Sequence, residues 1–228
     1  VAEYILAARE MGISILPVDV NKSVAEFGVE GKNIRFGFNA VKSMGRPTIT
    51  AIIEERTNNG DFHSMQDFIT RMAGVINKRT VEHLILAGAF DTFGNTRRGM
   101  MNVYERMIDS AVKQNKDAIS GQMSLFDFVS EEDKQSLEMK VPDIQEFEKE
   151  DLLEREKEVL GVYVTGHPLD EYTGMWEKHI SARSTDFLID EETGQAKLMN
   201  GSKQTIGGLI SNIKAVSYTH LRAHETLA

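Results

Sequence analysis

The sequence predicts a mainly α fold: two similar helical units, an exposed linker, an acidic helix and the start of a small barrel. Three observations predict it. Apolar residues recur at helical spacing through much of the first 116 residues. An apolar helix followed by a glycine turn occurs twice, with Gly88 43 positions after Gly45. Strand-like patterning takes over near residue 204. The expected divisions are 1–35, 36–116, 117–142, 143–204 and 205–216, with a tail at 217–228.

Taken in order, Tyr4, Ile5, Ala8 and Met11 lie at helical spacing, and Gly12 stops that helix. Ile13–Asn21 (ISILPVDVN) reads as a short buried strand ending at Pro17. Phe27–Phe38, with glycines at 28, 31 and 37, reads as a hairpin. A helix follows over Pro47–Arg56, with Ile49, Ile52 and Ile53 inward. Proline at its start loses no bond the helix needs, and Asn58, Asn59 and Gly60 break it. Ser64 with Asp67 three residues on is a capping pattern for a helix burying Phe68, Ile69 and Met72. Lys78–Ala87 turns Val81, Leu84 and Ile85 inward. Asn95 or Thr96 caps a longer helix carrying Met101, Tyr104, Met107, Ile108 and Ala111.

From about residue 113 to Pro142 the chain is polar and aperiodic, the pattern of an exposed linker, except for the apolar cluster QMSLFDF, Gln122–Phe128. Asp143–Leu160 reads as an acidic amphipathic helix ended by Gly161, with Glu146 to Glu158 as a solvated face. Gln204–Val216 (QTIGGLISNIKAV) is strand-like, and its paired glycines point to the tight curvature of a small barrel. Residues 217–228 continue neither pattern; they read as translated adapter sequence and are left out of fold reasoning.

Composition narrows the function classes. Cysteine is absent, which excludes disulfides, thiolate metal sites and cysteine nucleophiles. No apolar run approaches the ~20 residues that span a bilayer, and no export leader is evident, so a cytoplasmic, non-membrane protein is expected. The net charge of −9 argues against nucleic acid until it is resolved by segment. Arg71–Lys116 carries eight basic and four acidic residues, whereas Glu131–Glu158 carries twelve acidic and five basic. Only the first region is suited to phosphate.

Two segments carry that chemistry. Val41–Arg56 (VKSMGRPTITAIIEER) resembles a helix-hairpin-helix DNA-binding motif. In such a motif a tight turn and the following helix N-terminus aim main-chain N–H groups at a phosphate, without reading sequence. Gly45 is present, but Ser43 stands where the usual turn has its first glycine, and serine adopts left-handed backbone less readily. Lys42 and Arg46 flank the turn as phosphate ligands. Thr80–Gly99 repeats the arrangement around Ala87 and Gly88, and Asn95, Thr96, Arg97 and Arg98 open the next helix where anions are favoured. An ordinary turn between core helices is the other reading of the first segment, and a solvated helix start is the other reading of the second.

The third segment is the linker cluster. Gln122 offers directional amide hydrogen bonds, and Leu125 and Phe126 have nothing local to pack against. With Ser124 and Phe128 it resembles the peptide by which bacterial proteins bind the replication sliding clamp. Burying the Leu125–Phe126 pair contributes roughly 3–6 kcal/mol before ordering costs.

Four segments together carry a family resemblance: Tyr4–Ser23 (YILAAREMGISILPVDVNKS), Ile34–Gly45 (IRFGFNAVKSMG), Ile76–Asp91 (INKRTVEHLILAGAFD) and Leu152–Tyr172 (LLEREKEVLGVYVTGHPLDEY). In this order they resemble the alpha subunits of bacterial DNA polymerase III, the C-family replicative polymerases. The resemblance implies that residues 1–35 close a fingers region and 36–116 form a tandem helix-hairpin-helix domain on duplex DNA. It implies a clamp-binding linker at 117–142, a helix and connector at 143–204, and the first strand of an OB-fold from residue 205. The implied partners are duplex DNA, the sliding clamp (beta subunit) and other replicase subunits. Catalysis in the family uses palm carboxylates and magnesium, which the resemblance places upstream, so no catalytic residue, metal ligand or cofactor is expected here. Asp19 and Asp91 read as turn or cap residues, and His167 and Trp176 as structural. The competing expectations are a stand-alone hairpin module of a repair protein, which predicts DNA binding without clamp binding, and a protein-interaction segment, which predicts no salt-dependent DNA affinity.

Overall fold

The computed structural model describes residues 2–119, 139–189, 196–210 and 213. The chain divides into two compact units, residues 1–168 and 169–228. The peptide Gln122–Phe128 and the tail 217–228 lie outside the described residues.

The first unit opens with α1 (Ala2–Glu10), which buries Ile5 and Ala8 but leaves Tyr4 exposed, as is Met11 just beyond its end. The buried strand expected after it is two residues long, β1 (Ile15–Leu16). Beyond Pro17 the chain turns instead, because Asp19 takes over its hydrogen bonding. Its carboxylate accepts from the Asn21 amide at 2.8 Å, and its carbonyl accepts from the Ser23 amide at 2.9 Å. Asp19 is thus a turn residue, as the sequence indicated. The hairpin forms from β2 (Gly28–Glu30) and β3 (Asn33–Arg35), antiparallel, with β1 joining β3 in parallel to give the order β1-β3-β2.

The helices then build one core. α2 (Arg46–Asn59) buries Ile49 and Ile52. α3 (Met65–Arg71) starts at Ser64, whose hydroxyl accepts from the Asp67 amide at 3.0 Å. α4 (Lys78–Leu86) is capped in the same way by Asn77. Phe62, Phe68 and Phe90 meet edge to face, with ring centroids 5.0 and 5.1 Å apart. Val18 and Val20, from the segment before the hairpins, join the same core as Ile52 and Phe68. Residues 1–35 and 36–116 therefore fold as one body, and the compactness boundary falls after Pro168.

Three boundaries differ from expectation. The helix after Thr96 is two helices, α5 (Arg97–Met101) and α6 (Tyr104–Ile119). At the join the Asn102 and Val103 amides bond tightly back, to Gly99 and Met100 carbonyls at 3.2 and 3.1 Å. Residues 117–119, expected in the linker, are helical, since α6 continues to Ile119. The acidic helix α7 spans Lys149–Leu160 rather than starting at Asp143. Residues 139–148 are drawn out along α5 instead: Thr96 donates its hydroxyl to the Ile144 carbonyl at 3.1 Å. Gly99 permits the approach, since a Cβ there would stand 2.6 Å from the Pro142 carbonyl oxygen. Gly161 ends α7 as expected, its amide bonded to the Lys157 carbonyl.

Among its described residues the second unit contains α8 (Thr173–His179) and two single 3-10 turns. The strand expected from Gln204 is not formed over the described residues 204–210. Thr205 accepts from the Ser181 amide at 3.0 Å, while Ile206, Leu209 and Ile210 stay exposed. A strand needs a neighbouring strand to satisfy its backbone and cover its apolar face, and none lies alongside among the described residues. No helix among the described residues is long and apolar enough to cross a membrane.

Candidate nucleic-acid interface

The first turn, residues 42–46, is open. Val41 anchors it in the core, and Met44 packs half-buried against the same cluster. Lys42, Ser43, Gly45 and Arg46 are exposed. Gly45 caps α2 with no side chain bonded across the helix start, no acidic residue stands in the first turn, and Pro47 has no N–H to offer. Among the described residues, the Ser43, Gly45 and Arg46 amides have no acceptor. They are free donors at the positive end of a fourteen-residue helix, flanked by two cations.

Ser43 holds φ at 66°, and among the described residues it alone does so without being a glycine. It occupies the left-handed position that the sequence pattern assigns to the missing glycine. Two contacts brace the turn from behind. The Lys42 amide donates to the Val159 carbonyl of α7 at 2.9 Å, and the Lys42 carbonyl lies 2.7 Å from Nδ1 of His83 on α4.

The second turn is closed, which corrects the expectation for four of its residues. Ala87 and Gly88 are buried, and their amides are bonded within the turn, to the His83 carbonyl at 2.9 Å and the Ile85 carbonyl at 3.0 Å. Gly88 is left-handed at φ 81°, and a Cβ there would stand 2.3 Å from Nη2 of Arg97. Any side chain at 88 would have to displace that guanidinium.

Arg97 is itself 3% exposed and points inward. It donates to Asp91 through Nε at 3.0 Å and Nη2 at 2.6 Å, and to the Leu86 carbonyl at 2.9 Å. Its Nη1 lies 3.6 Å from fully buried Glu156. Burial opposes its charge, but the Asp91 hydrogen bonds and the charges of Asp91, Glu156 and Glu146 outweigh that and hold its pKa above the ordinary value. Arg97 is a structural ion pair, unable to reach a phosphate without leaving the core.

The amides expected to receive an anion at α5 are also taken. Glu146 accepts from the Arg97 amide at 2.7 Å and the Arg98 amide at 3.0 Å. Thr96 is the cap, accepting from the Gly99 amide at 3.1 Å. The adjacent hollow, about 360 Å³, is lined by Asp91 and Glu146, which repel phosphate. Of this segment's candidates, the Asn95 and Arg98 side chains remain exposed.

The solvated-face reading of the acidic helix fails at two glutamates. Glu146 precedes α7 and clasps α5. Glu156 accepts from the Val164 amide, the Thr165 amide at 2.9 Å and the Thr165 hydroxyl at 2.7 Å. Glu156 falls on the stripe marked by Leu153 and Leu160, three residues after one and four before the other. A carboxylate on an apolar stripe was the available signal for it. Glu146 and His83 carry no such local signal.

The basic excess shrinks correspondingly. Arg71 is committed to Glu55 at 2.9 Å and lies 4.3 Å over the Phe62 ring, and Lys78 pairs with Asp109 at 3.0 Å. Among the described residues, no three His, Asp or Glu side chains gather where they would hold a metal ion. His167 packs edge to face on Tyr163 at 5.1 Å.

Residues 12–100 match the family model described as a helix-hairpin-helix motif. The chain is 33% identical over 218 residues to DNA polymerase III subunit alpha of Deinococcus radiodurans, covering 93% of this chain and 16% of that protein. It is 41% identical over 181 residues to the Thermus aquaticus subunit, covering 78% and 14%, and 33% identical over 213 residues to that of Mycobacterium leprae, covering 93% and 18%. The chain thus spans less than a fifth of the length of these relatives. The matches extend well past the hairpin region on the same three proteins, so the chain belongs to the DNA polymerase III alpha-subunit family, of which it is a small segment.

Proposed function

We propose that this segment grips the backbone of duplex DNA for a replicative DNA-directed DNA polymerase and tethers that polymerase to its sliding clamp. The open first turn carries the reading: unclaimed amides at Ser43, Gly45 and Arg46, flanked by Lys42 and Arg46. Asn95 and Arg98 are secondary ligands of the backbone. The grip is blind to sequence, since amides and cations at a phosphate read no base edge. Nucleotidyl transfer, with its magnesium ions, belongs to a palm region elsewhere in the longer protein, which works in the cytoplasm with other replicase subunits.

The tether is Gln122–Phe128. Gln122, Ser124, Leu125, Phe126 and Phe128 supply an amide, a hydroxyl and three large apolar groups, chemistry suited to a preformed apolar pocket. The named relatives favour this reading over a stand-alone repair module, which has no need of that peptide.

Titration of labelled duplex against the full chain tests the grip. Lys42→Glu with Arg46→Glu is expected to weaken binding and to lower the salt slope by about 0.9 for each phosphate no longer neutralised. Unchanged affinity at low salt refutes the first turn as the site. Gln122→Ala with Phe126→Ala is expected to abolish recovery of the clamp in a pull-down while leaving DNA affinity intact. Full recovery refutes the tether.

A further inference from the structure

We propose that His83 is a positioning residue that aims the Ser43 amide at the DNA backbone, standing in for the glycine the first turn lacks. The inference rests on the first turn being the phosphate site.

The argument begins with one peptide plane. The Lys42 carbonyl and the Ser43 N–H belong to the same trans peptide unit, so they point in opposite directions. Whatever holds the carbonyl inward holds the N–H outward. His83 holds the carbonyl, at 2.7 Å. A carbonyl oxygen only accepts, so Nδ1 carries the proton in this hydrogen bond. The Ser43 N–H is left unclaimed among the described residues, on an exposed residue between Lys42 and Arg46.

The pin matters because of what occupies position 43. At φ 66° a serine sits in backbone that side-chain-bearing residues disfavour. Rotating the Lys42–Ser43 peptide by about 180° returns φ to the ordinary negative side and removes that cost. The same rotation turns the N–H away from the phosphate. With glycine at 43 there is no cost to escape, and the outward amide needs no restraint. With serine, the outward orientation survives only if something grips the carbonyl.

His83 is well placed for this. It is half-buried on α4, between the inward residues Val81 and Leu84, in a helix fixed by its Asn77 cap. The other end of the Lys42 residue is fixed as well, through its amide to Val159. The second helical unit, closed to DNA at its own turn, thus supplies the restraint that keeps the first turn in binding form.

The test is a mutant cycle on the full chain, read by duplex titration and circular dichroism. His83→Leu keeps helix propensity but removes the donor, and His83→Gln places its amide near the Nε2 position rather than Nδ1. Both are expected to weaken duplex binding by about 5- to 30-fold, the population shift set by the left-handed cost at residue 43. His83→Asn, whose amide lies near the Nδ1 position, is expected to restore most of the affinity. In a Ser43→Gly background, His83→Leu is expected to cost less than about twofold. A merely structural role for His83 predicts equal losses in the serine and glycine backgrounds, and that result overturns the proposal. So does a His83→Asn protein that binds no better than His83→Leu. Lys42→Glu with Arg46→Glu separates the two levels. If it weakens binding and His83→Leu does not, only the positioning role falls; if it has no effect, the first-turn reading falls and the positioning role with it.

Discussion

Replacing Arg97 with alanine distinguishes a structural arginine from a phosphate ligand, because the two roles predict opposite outcomes. The side chain is 4% exposed and serves three acceptors, Asp91, the Leu86 carbonyl and Glu156. Their fates differ when it is removed. Asp91 is 40% exposed and regains water, so its loss is small. Glu156 is fully buried and keeps its three bonds from Val164 and Thr165 but loses its countercharge. Breaking a buried pair from one side costs about 3–5 kcal/mol. Rehydration of Asp91 and the surviving bonds of Glu156 place this case near the lower end, about 3 kcal/mol. Urea unfolding followed by circular dichroism measures the change, with duplex titration of the folded protein alongside. Arg98→Ala is the control. Being exposed, it is expected to change stability by less than about 0.5 kcal/mol. An Arg97→Ala protein of unchanged stability and abolished DNA affinity refutes the burial argument and returns Arg97 to the phosphate site.

Two further perturbations probe the same region. Glu146→Ala removes the acceptor shared by the Arg97 and Arg98 amides; it is expected to cost about 1–2 kcal/mol and to speed hydrogen exchange at both. Unchanged exchange at those amides contradicts the clasp. Tyr104 is buried beside Glu82 and Glu105, and burial first, then those charges, push its phenol up to about 12. The folded state keeps the proton longer than the unfolded chain, so the stability this gives is present below about pH 10 and is lost as pH rises toward 12. Ultraviolet titration resolving every tyrosine near pH 10 is the contrary result.

What was legible in the sequence was local. The Ser64–Asp67 cap, the Gly161 stop, the Phe27–Phe38 hairpin and the inward faces of α2, α3 and α4 each depend on residues a few positions apart, and each formed. Ser43 was legible in the same way, as a serine in a glycine's place. The errors arose where a distant group claimed a local one. Glu146 reaches the α5 amides across 48 and 49 residues, and no spacing rule within a helix registers it. Arg97 and Arg98 look alike as neighbours in a basic pair. Arg97, however, shares a helical face with buried Met100, and Arg98 does not. A basic residue on a core-facing stripe, like Glu156 on its own stripe, signals a buried ion pair.

The two turns share a chain trace but not a chemistry. A phosphate site built from main-chain amides requires that nothing in the protein reach those amides first. At the first turn that condition holds, since the Lys42 amide and carbonyl are engaged behind it while the amides of Ser43, Gly45 and Arg46 stay unclaimed among the described residues. At the second it fails twice, through the internal bonds of Ala87 and Gly88 and through the carboxylate of Glu146. The repeat has therefore divided its work. The second hairpin holds α5, α7 and the back of the first turn in register, which leaves the first turn as the face proposed for nucleic acid. Substitutions in the second hairpin, apart from those at exposed Asn95 and Arg98, are expected to lower DNA affinity only together with stability or turn geometry, and those at Lys42 and Arg46 to lower affinity alone, because exposed cations there bear no packing load.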